Sequence, residues 1–479
     1  MKPILKYYAI LFVVLTIYLN ISKYIFDKVY DTIQIVIDEL FHIPQGIAYC
    51  ERNFTYWDPK ITTLPGLYLI SSAFIGQHFP CNTYNLRLVN LAASCINLML
   101  FSSILKYVYG NTNYAKTVLQ ALNLTILPPL YFFSHVYYTD TLSLTFLLAF
   151  SRLCLVNRYK ILILLFGLMS VMMRQTNIVW IAMVFGHKIL DIFIKSSRVF
   201  GNHFLSRTKL NSQSLIAKDI DKSMLKRYYS LSDLFVAVMY HITTCSVTFF
   251  KYLTLHDMLV LLTHSITLTS FAVFVYKNGS IVLGDKSAHE ATLHIPQMLY
   301  FLIFYGIFGL PYVLAKFFST IKLILSNKVK VIIFALLFAA VVHYNTIVHP
   351  YLLADNRHFT FYVWNRWFGK YDYAKYATIP AYIFLLFSLY DNLRQQNCVS
   401  FLLPYTVSLF LGLCLQQMIE IRYFLIPYII LRLRFNRPSG TVVIFEFLWY
   451  LSINAAMYYV FFSKEVMWKD FDYPQRIIW

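Results

Sequence analysis

The stretch MKPILKYYAILFVVLTIYL at residues 1–19 opens the chain with two lysines, Lys2 and Lys6, set into and ahead of a long apolar run. It has the layout of a secretory signal, yet no clear small-residue cleavage site follows, so it reads as a retained anchor helix. Bases ahead of a first span hold that end in the cytoplasm. What comes after the span therefore falls on the far side of a membrane. That includes IDELFHIPQGIAYCERNFTYWDPKITT (37–63), which carries Asp38, Glu39, Glu51 and Asp58 in a chain where charge is scarce.

Of 479 residues, 59% are hydrophobic, 18% aromatic and 13% charged, whereas soluble domains carry about a quarter charged. Apolar stretches recur along the whole chain, each near the roughly 20 residues needed to cross a bilayer. They are continuously apolar and lack the alternation of a membrane barrel. The expected fold class is an all-α polytopic membrane protein with about 12–14 transmembrane helices. The 41 Lys and Arg against 22 Asp and Glu give a net charge of +19, which could suggest nucleic acid. The bases gather instead in loops between spans and no basic domain stands apart, so no nucleic-acid partner is expected. Seven cysteines form no CxxC pair and no metal-finger spacing. Cys50 and Cys81, in the first outer loop, could pair in an oxidising lumen, but separate buried thiols are the first expectation.

Spans near 86–108, 117–134, 139–156, 160–174 and 176–194 leave Lys106, Lys116, Arg158 and Lys160 inside, with SHVYYTD (134–140) and RQTN (174–177) outside. The run LPGLYLISSAFIGQHF (64–79) is laid at the interface, because a span there would spoil the charge register. The chain divides into an N-terminal module (1–194) with its first outer loop at 22–85, a basic cytoplasmic loop (195–232) and a C-terminal module (233–479). The last has spans near 259–276, 297–315, 331–348, 377–390, 399–418, 422–433 and 440–462, with outer loops at 277–296 and 349–376. Residues 233–255 could hide another helix. The sequons at Asn53 and Asn278 both fall on the outer side.

Four polar islands share that side: 37–63, LGDKSAHEATLH (283–294), VHPYLLADNRHFTFYVWNRW (348–367) and EIRYF (420–424). Each mixes acids with His or Arg at a membrane edge, where an unpaired charge is costly and so is paired or functional. A carboxylate there can take a proton from a sugar hydroxyl, and Arg and His can hold a phosphate leaving group. That combination suits glycosyl transfer from a lipid phosphate. Arg357, Arg366 and Arg422 could grip a phosphodiester as it gains charge. Trp57, Trp364 and Trp367 could pack on sugar rings, or be ordinary interface-belt residues. Neither GxGxxG nor GxxxxGK[ST] occurs, so no nucleotide cradle is indicated. His42 beside its acids, and His289 with His294, match no metal-site spacing and read first as structural histidines. A transporter is the rival class, but it would show internal repeats and mid-membrane acids, while here the acids gather at span ends.

The strings DELFHIPQ (38–45), AYC (48–50), WDPKITTLPGLY (57–68), RQTNIVW (174–180), GDKSAHEATLHIPQ (284–297), HPYLLADNRHFTFYVW (349–364) and EIRYFLIPY (420–428) occur in that order. Together they resemble, across nearly the whole chain, the dolichyl-phosphoglucose-dependent alpha-1,2-glucosyltransferases of the ALG10 type. Leu40 and Leu64 depart from the family's more usual DEIFH and TTPPGLY, and Gly46-Ile47 stands where QA is expected after IPQ; the acids are untouched.

The resemblance implies a GT-C architecture in the endoplasmic reticulum membrane, with lumenal loops forming the active site. It implies dolichyl beta-phosphoglucose as donor and Glc2Man9GlcNAc2 diphosphodolichol as acceptor, the third and last glucose being added. A beta donor and an alpha link make an inverting transfer, for which one base suffices. No metal or other cofactor is expected, since the loop has no DxD and positive charge can hold the phosphate. GT-C enzymes carry an essential acid in the first lumenal loop, so Asp38 is the expected base, Glu39 the runner-up and Asp58 the third. Neighbouring carboxylates point apart, so Asp38 and Glu39 do not share one proton. Arg357, His358, Arg366 and Arg422 are assigned to the donor phosphate. His42, Trp57, Lys60, Asp285, His289, His294, Asp355, Trp364 and Glu420 are assigned to sugar or acceptor contacts, with a salt bridge to Arg357 as the alternative role of Asp355. A GT-C transferase adding an earlier glucose is the nearer rival, but it lacks the 349–364 string.

Overall fold

The computed structural model describes residues 3–76, 78–110, 113–206, 231–244, 247–286, 292–393, 399–468 and 471–479. The apolar opening of the chain forms α1 (Pro3–Thr32). Ile4, Phe12, Ile17 and Tyr24 are exposed along it, as on a helix whose surroundings are lipid rather than water. The loop expected from residue 22 opens only after Thr32. It holds two short helices, α2 (Glu39–Cys50) and α3 (Gly66–Phe74), before α4 (Thr83–Tyr109). At nine residues, α3 is too short to span. The Asn82 side chain starts α4 by accepting from the Asn85 N–H (2.9 Å).

Cys50 and Cys81 form a disulfide, correcting the expectation of separate thiols. The end of α2 and the approach to α4 bring their Cα atoms within 6.2 Å, a separation that a bridge fits.

The span expected at 117–134 is two helices, α5 (Tyr114–Thr125) and α6 (Pro128–Phe133). Pro128 and Pro129 lack N–H donors, so they end one helix and can stand in the first turn of the next. The span expected at 297–315 divides in the same way, into Pro296–Phe308 and Leu310–Ala315, with Pro311 in the first turn of the second. The span expected at 422–433 is a 3-10 turn, Ile421–Phe424, leading into Leu425–Arg432. Next to α6 come α7 (Thr139–Val156), α8 (Lys160–Met173) and α9 (Asn177–Ser206). Residues 207–230, most of the expected basic loop, lie outside the described residues. Leu231–Thr243 and Val247–Tyr252 are helical, where a further helix was suspected.

Among the described residues, seven helices are long and apolar enough to cross a membrane, and five shorter apolar helices accompany them. The molecule is an all-α polytopic membrane protein. α4 packs against α1, α5 and α7, α7 against α8, and α9 against Val399–Leu413. Gly440–Ser463 closes on α5, joining the last helix to the first half of the chain. A charge pair is sealed inside that junction: Arg432 Nε and Nη2 donate to Glu446 at 2.8 and 2.7 Å, both side chains fully buried. The Tyr312 hydroxyl and the Asn123 amide also donate to Glu446. The Glu446 carboxylate thus has four donors, which offset the cost of holding an ion pair inside a membrane fold.

Two glycines set the loop packing. A Cβ on Gly46 would lie 3.0 Å from the Tyr137 ring, so the departure at this position lets α2 approach closely. Gly284, at φ +60°, brings its loop so near that a Cβ would meet the Pro59 carbonyl. The Leu283 and Asp285 N–H groups there donate to Thr62 and Pro59 carbonyls. The hairpin β1 (Glu465–Val466) and β2 (Gln475–Arg476) leads Ile478 into backbone hydrogen bonds with Arg357 and Phe359.

Candidate active site

The turn from α1 into α2 places Ile37 at φ +36°, a left-handed conformation that a β-branched residue adopts at a cost. The next residue, Asp38, is the N-cap of α2. Its N–H donates to the Tyr138 hydroxyl (3.0 Å), which donates in turn to the Val36 carbonyl (3.2 Å). The strained turn is thus pinned to the start of α7, and the Asp38 side chain keeps 35% of its exposure.

Glu39 stands one residue on and in the opposite environment. Its fully buried carboxylate accepts from Arg87 Nε (2.8 Å) and Nη2 (2.5 Å), and from the Val36 (2.9 Å) and Tyr137 (2.6 Å) N–H groups. Four donors fill its oxygens, and its side chain has no exposure to solvent.

Arg422 gathers the charges. Its Nη2 lies 3.0 Å from Asp38, its Nε 2.6 Å from Glu420 and its Nη1 3.8 Å from Asp140. Asp140 is also ion-paired with Arg174. The Arg422 guanidinium lies over the Tyr138 and Phe133 rings, at 5.3 and 5.7 Å. Three carboxylates and two guanidiniums from four separate stretches therefore share one site. Asp140 and Arg174 were missed as site residues in the sequence. Both belong to the short outer connections SHVYYTD and RQTN, and the rule applied to the four islands, charge at a membrane edge, applied to them too.

Burial works against ionising Asp38, but the nearby Arg422, with His42 and His358, outweighs it and holds the carboxyl below its usual value. Burial likewise disfavours the Arg422 charge, and Glu420, Asp38 and Asp140 overcome it. His42 is lowered, mainly by burial and against the pull of Asp38, so its imidazole is neutral at pH 7. Its Nδ1 is 2.5 Å from the Tyr68 hydroxyl, and its ring is 5.8 Å from that of Tyr138. The Trp57 ring stands edge-on to Tyr68 at 6.1 Å, with its buried Nε1 lacking a hydrogen-bond partner. Asp58 caps its own turn by accepting from the Lys60 N–H (2.8 Å), and exposed Lys60 lies 4.8 Å from the Phe41 ring.

The remaining expected residues fall in other places. Arg357 is clasped by Asp355 through Nε (2.9 Å) and Nη2 (2.8 Å) and stacks on Trp468 at 4.3 Å. This is the loop-ordering salt bridge held as the alternative role of Asp355, whose carboxyl sits below its usual value because that bond and nearby positive charge exceed the effect of burial. His358 Nδ1 bonds the Trp479 carbonyl oxygen (2.9 Å). Exposed Arg366 lies over Tyr362, and Trp364 lies beside Phe368. The Asp285 N–H joins its loop to Pro59 at 2.7 Å. His294 is buried, its N–H donating to the Cys414 carbonyl and its Nε2 accepting from Ile347. His289 lies outside the described residues.

A cleft opens from the charged cluster between α7, α9 and the 412–426 segment. Asp140, Arg174 and Arg422 line its polar end, and Leu144, Trp180 and Leu425 its apolar wall. Among the described residues, no group of three His, Cys, Asp or Glu side chains is placed to hold a metal ion.

This fold and site define a polytopic membrane protein with a cluster of charged side chains at the head of an apolar cleft. Residues 32–433 match the model of the DIE2/ALG10 family, and the chain belongs to that family. A Drosophila melanogaster protein named Dol-P-Glc:Glc(2)Man(9)GlcNAc(2)-PP-Dol alpha-1,2-glucosyltransferase is 40% identical over 95% of this chain and 96% of its own. Proteins of the same name from Rattus norvegicus and Arabidopsis thaliana are 35% and 30% identical, each over 92% of this chain and 93% and 94% of their own. No solved structure matches the chain.

Proposed function

We propose that this protein transfers the third, terminal glucose in alpha-1,2 linkage from dolichyl beta-phosphoglucose to Glc2Man9GlcNAc2 diphosphodolichol, in the lumen of the endoplasmic reticulum. The observation that carries the mechanism is the Asp38–Arg422 contact at the head of an apolar cleft. The relatives' shared name supplies donor and acceptor. The disulfide in the first loop supports an oxidising compartment for the site.

Asp38 is the base. It takes the proton of the acceptor glucose 2-hydroxyl as that oxygen forms its bond to the donor's anomeric carbon. The bond from that carbon to the phosphate oxygen breaks, its electron pair leaves with dolichyl phosphate, and the phosphate gains one negative charge. Arg422 and Arg174 stabilise that charge, a role supported by their ion pairs with Glu420 and Asp140, which fix both guanidiniums at the cleft. A carboxylate held by Arg422 is a weak base. Donor phosphate competing for the guanidinium releases Asp38 and raises its basicity at the moment it is needed. Glu39 keeps the Asp38 turn in place through Arg87.

The test is a transfer assay with purified protein, short-chain dolichyl phosphoglucose and diglucosylated lipid-linked oligosaccharide, with the released glycan weighed by mass spectrometry. One added hexose is expected. It should be absent with monoglucosylated acceptor and absent when UDP-glucose replaces the lipid donor. Equal transfer to the monoglucosylated acceptor would move the protein to an earlier step.

A further inference from the structure

A second cavity, of ≈ 550 Å³, lies between the first turns of α1 and the last turns of α4 and α7. Asp38 follows the far end of α1, about 40 Å away at 1.5 Å per helical residue. This cavity therefore belongs to the opposite membrane face. Tyr7, Tyr8, Ser103, Lys106, Tyr107 and Arg152 give it a polar lining with two cations and no carboxylate.

Several buried or half-buried arginines of this chain meet acids: Arg87 with Glu39, Arg174 with Asp140, Arg357 with Asp355, Arg432 with Glu446. Among the described residues Arg152 has no acid partner. Its Nε donates to Ser103 Oγ (2.7 Å), its guanidinium lies over Tyr107 at 5.4 Å, and its Nη1 is shut from solvent with no hydrogen-bond partner. Lys106 Nζ stands 3.9 Å from the Tyr7 ring centroid and 5.6 Å from that of Tyr8. Among the described residues, neither cation forms a salt bridge. A half-buried guanidinium with an unmet donor is costly, and an anion relieves it. The cavity has the size of a ligand pocket. Leu11 and Met99 continue its wall as apolar surface.

We propose that this cavity binds the phosphate of an anionic phospholipid headgroup from the leaflet opposite the active site. The phosphate oxygens accept from Lys106 Nζ and Arg152 Nη1, the tyrosine hydroxyls reach the rest of the headgroup, and Leu11 and Met99 carry the start of an acyl chain. Lys6, Lys116, Arg158 and Lys160 belong to the same end of these helices, and a basic face of this kind is drawn to an anionic leaflet. Free phosphate offers the same oxygens but no chain for the apolar wall.

The experiment uses full-length protein in neutral detergent, titrated with dioctanoyl phosphatidylglycerol or with inorganic phosphate while Tm is read. The lipid should raise Tm saturably, as a ligand of the folded state does. The double variant Lys106→Gln/Arg152→Gln should bind roughly tenfold or more weakly, having lost its charge-assisted hydrogen bonds. An equal rise with inorganic phosphate assigns the site to free anion and overturns the lipid claim. No rise, or unchanged lipid affinity in the double variant, overturns the site. As a check that needs no variant, a photoreactive phosphatidylglycerol should label wild-type peptides from 5–12 and 99–107. Labelling confined to other segments overturns the proposal.

Discussion

Asp38 Oδ2 and Arg422 Nη2 are 3.0 Å apart across 384 residues of sequence. The contact joins the first loop to the turn ahead of Leu425–Arg432. In the mechanism we propose it couples binding to activation: the donor's phosphate would compete for Arg422 and so release Asp38 to act as base.

If Arg422 stabilises the departing phosphate, Arg422→Gln should raise the KM for lipid donor and lower kcat by about 10²–10³, the cost of one preorganised charge donor. Arg174→Gln should be milder, since Arg422 remains at the cleft. Steady-state kinetics with varied donor would decide, and a kcat for Arg422→Gln within threefold of wild type would remove it from the transition state.

Glu39 separates stability from chemistry. Glu39→Gln leaves Arg87 fully buried and unpaired, and breaking such a pair costs about 3–5 kcal/mol. Thermal unfolding should show a large drop in Tm, while the folded fraction keeps most of its kcat. Glu39→Gln combined with Arg87→Met should recover part of the lost Tm, because both charges are gone. A stable Glu39→Gln protein without turnover would instead make Glu39 the base.

Stability should fall with acid in two stages. His42 is lowered mainly by burial, so the unfolded chain takes up that proton first, and the contribution of the neutral ring is lost as pH drops below about 6.5 toward the folded value. Asp38 is lowered because Arg422 outweighs burial, so its contribution, complete above about pH 4, disappears as pH falls through its depressed value. Tm measured from about pH 8 down to about pH 3 should be level, decline below about 6.5 and decline again below about 4, and His42→Gln should flatten the first decline. A wild-type Tm that rose between pH 7 and 5.5 would contradict this assignment.

Transfer should survive chelation. In the proposed mechanism the guanidiniums of Arg174 and Arg422, which share one charged cluster, take the part a divalent ion would otherwise play on the phosphate. Activity in excess EDTA should therefore equal activity with added magnesium or manganese. Loss with EDTA and recovery with either ion would replace this reading of the leaving-group site.

The polytopic class was legible because lipid demands long apolar helices, and Asp38, Glu420 and Arg422 stood out as charges at the edges of apolar runs. Where two prolines or a Gly-Leu-Pro step interrupt an apolar run, hydropathy sees one span and the backbone makes two helices, as at Pro128 and Pro311. Glu39 and Asp38 look alike in sequence. Their separation depends on Arg87, which α4 brings to the first residue alone. Asp140 and Arg174 also sit at the ends of apolar runs, so the same rule reached them, but their place beside Arg422 needed the three-dimensional meeting of α7, α8 and the 420–426 turn.

The most direct test is single-turnover transfer by Asp38→Asn beside Glu39→Gln, each normalised to folded protein and given saturating donor and acceptor. Asp38→Asn should retain its Tm within a few degrees and bind donor, yet form product about 10²–10⁴ times more slowly, the usual contribution of a general base. Wild-type rates from Asp38→Asn would contradict the assignment of the base, and with it the role given to the Arg422 contact.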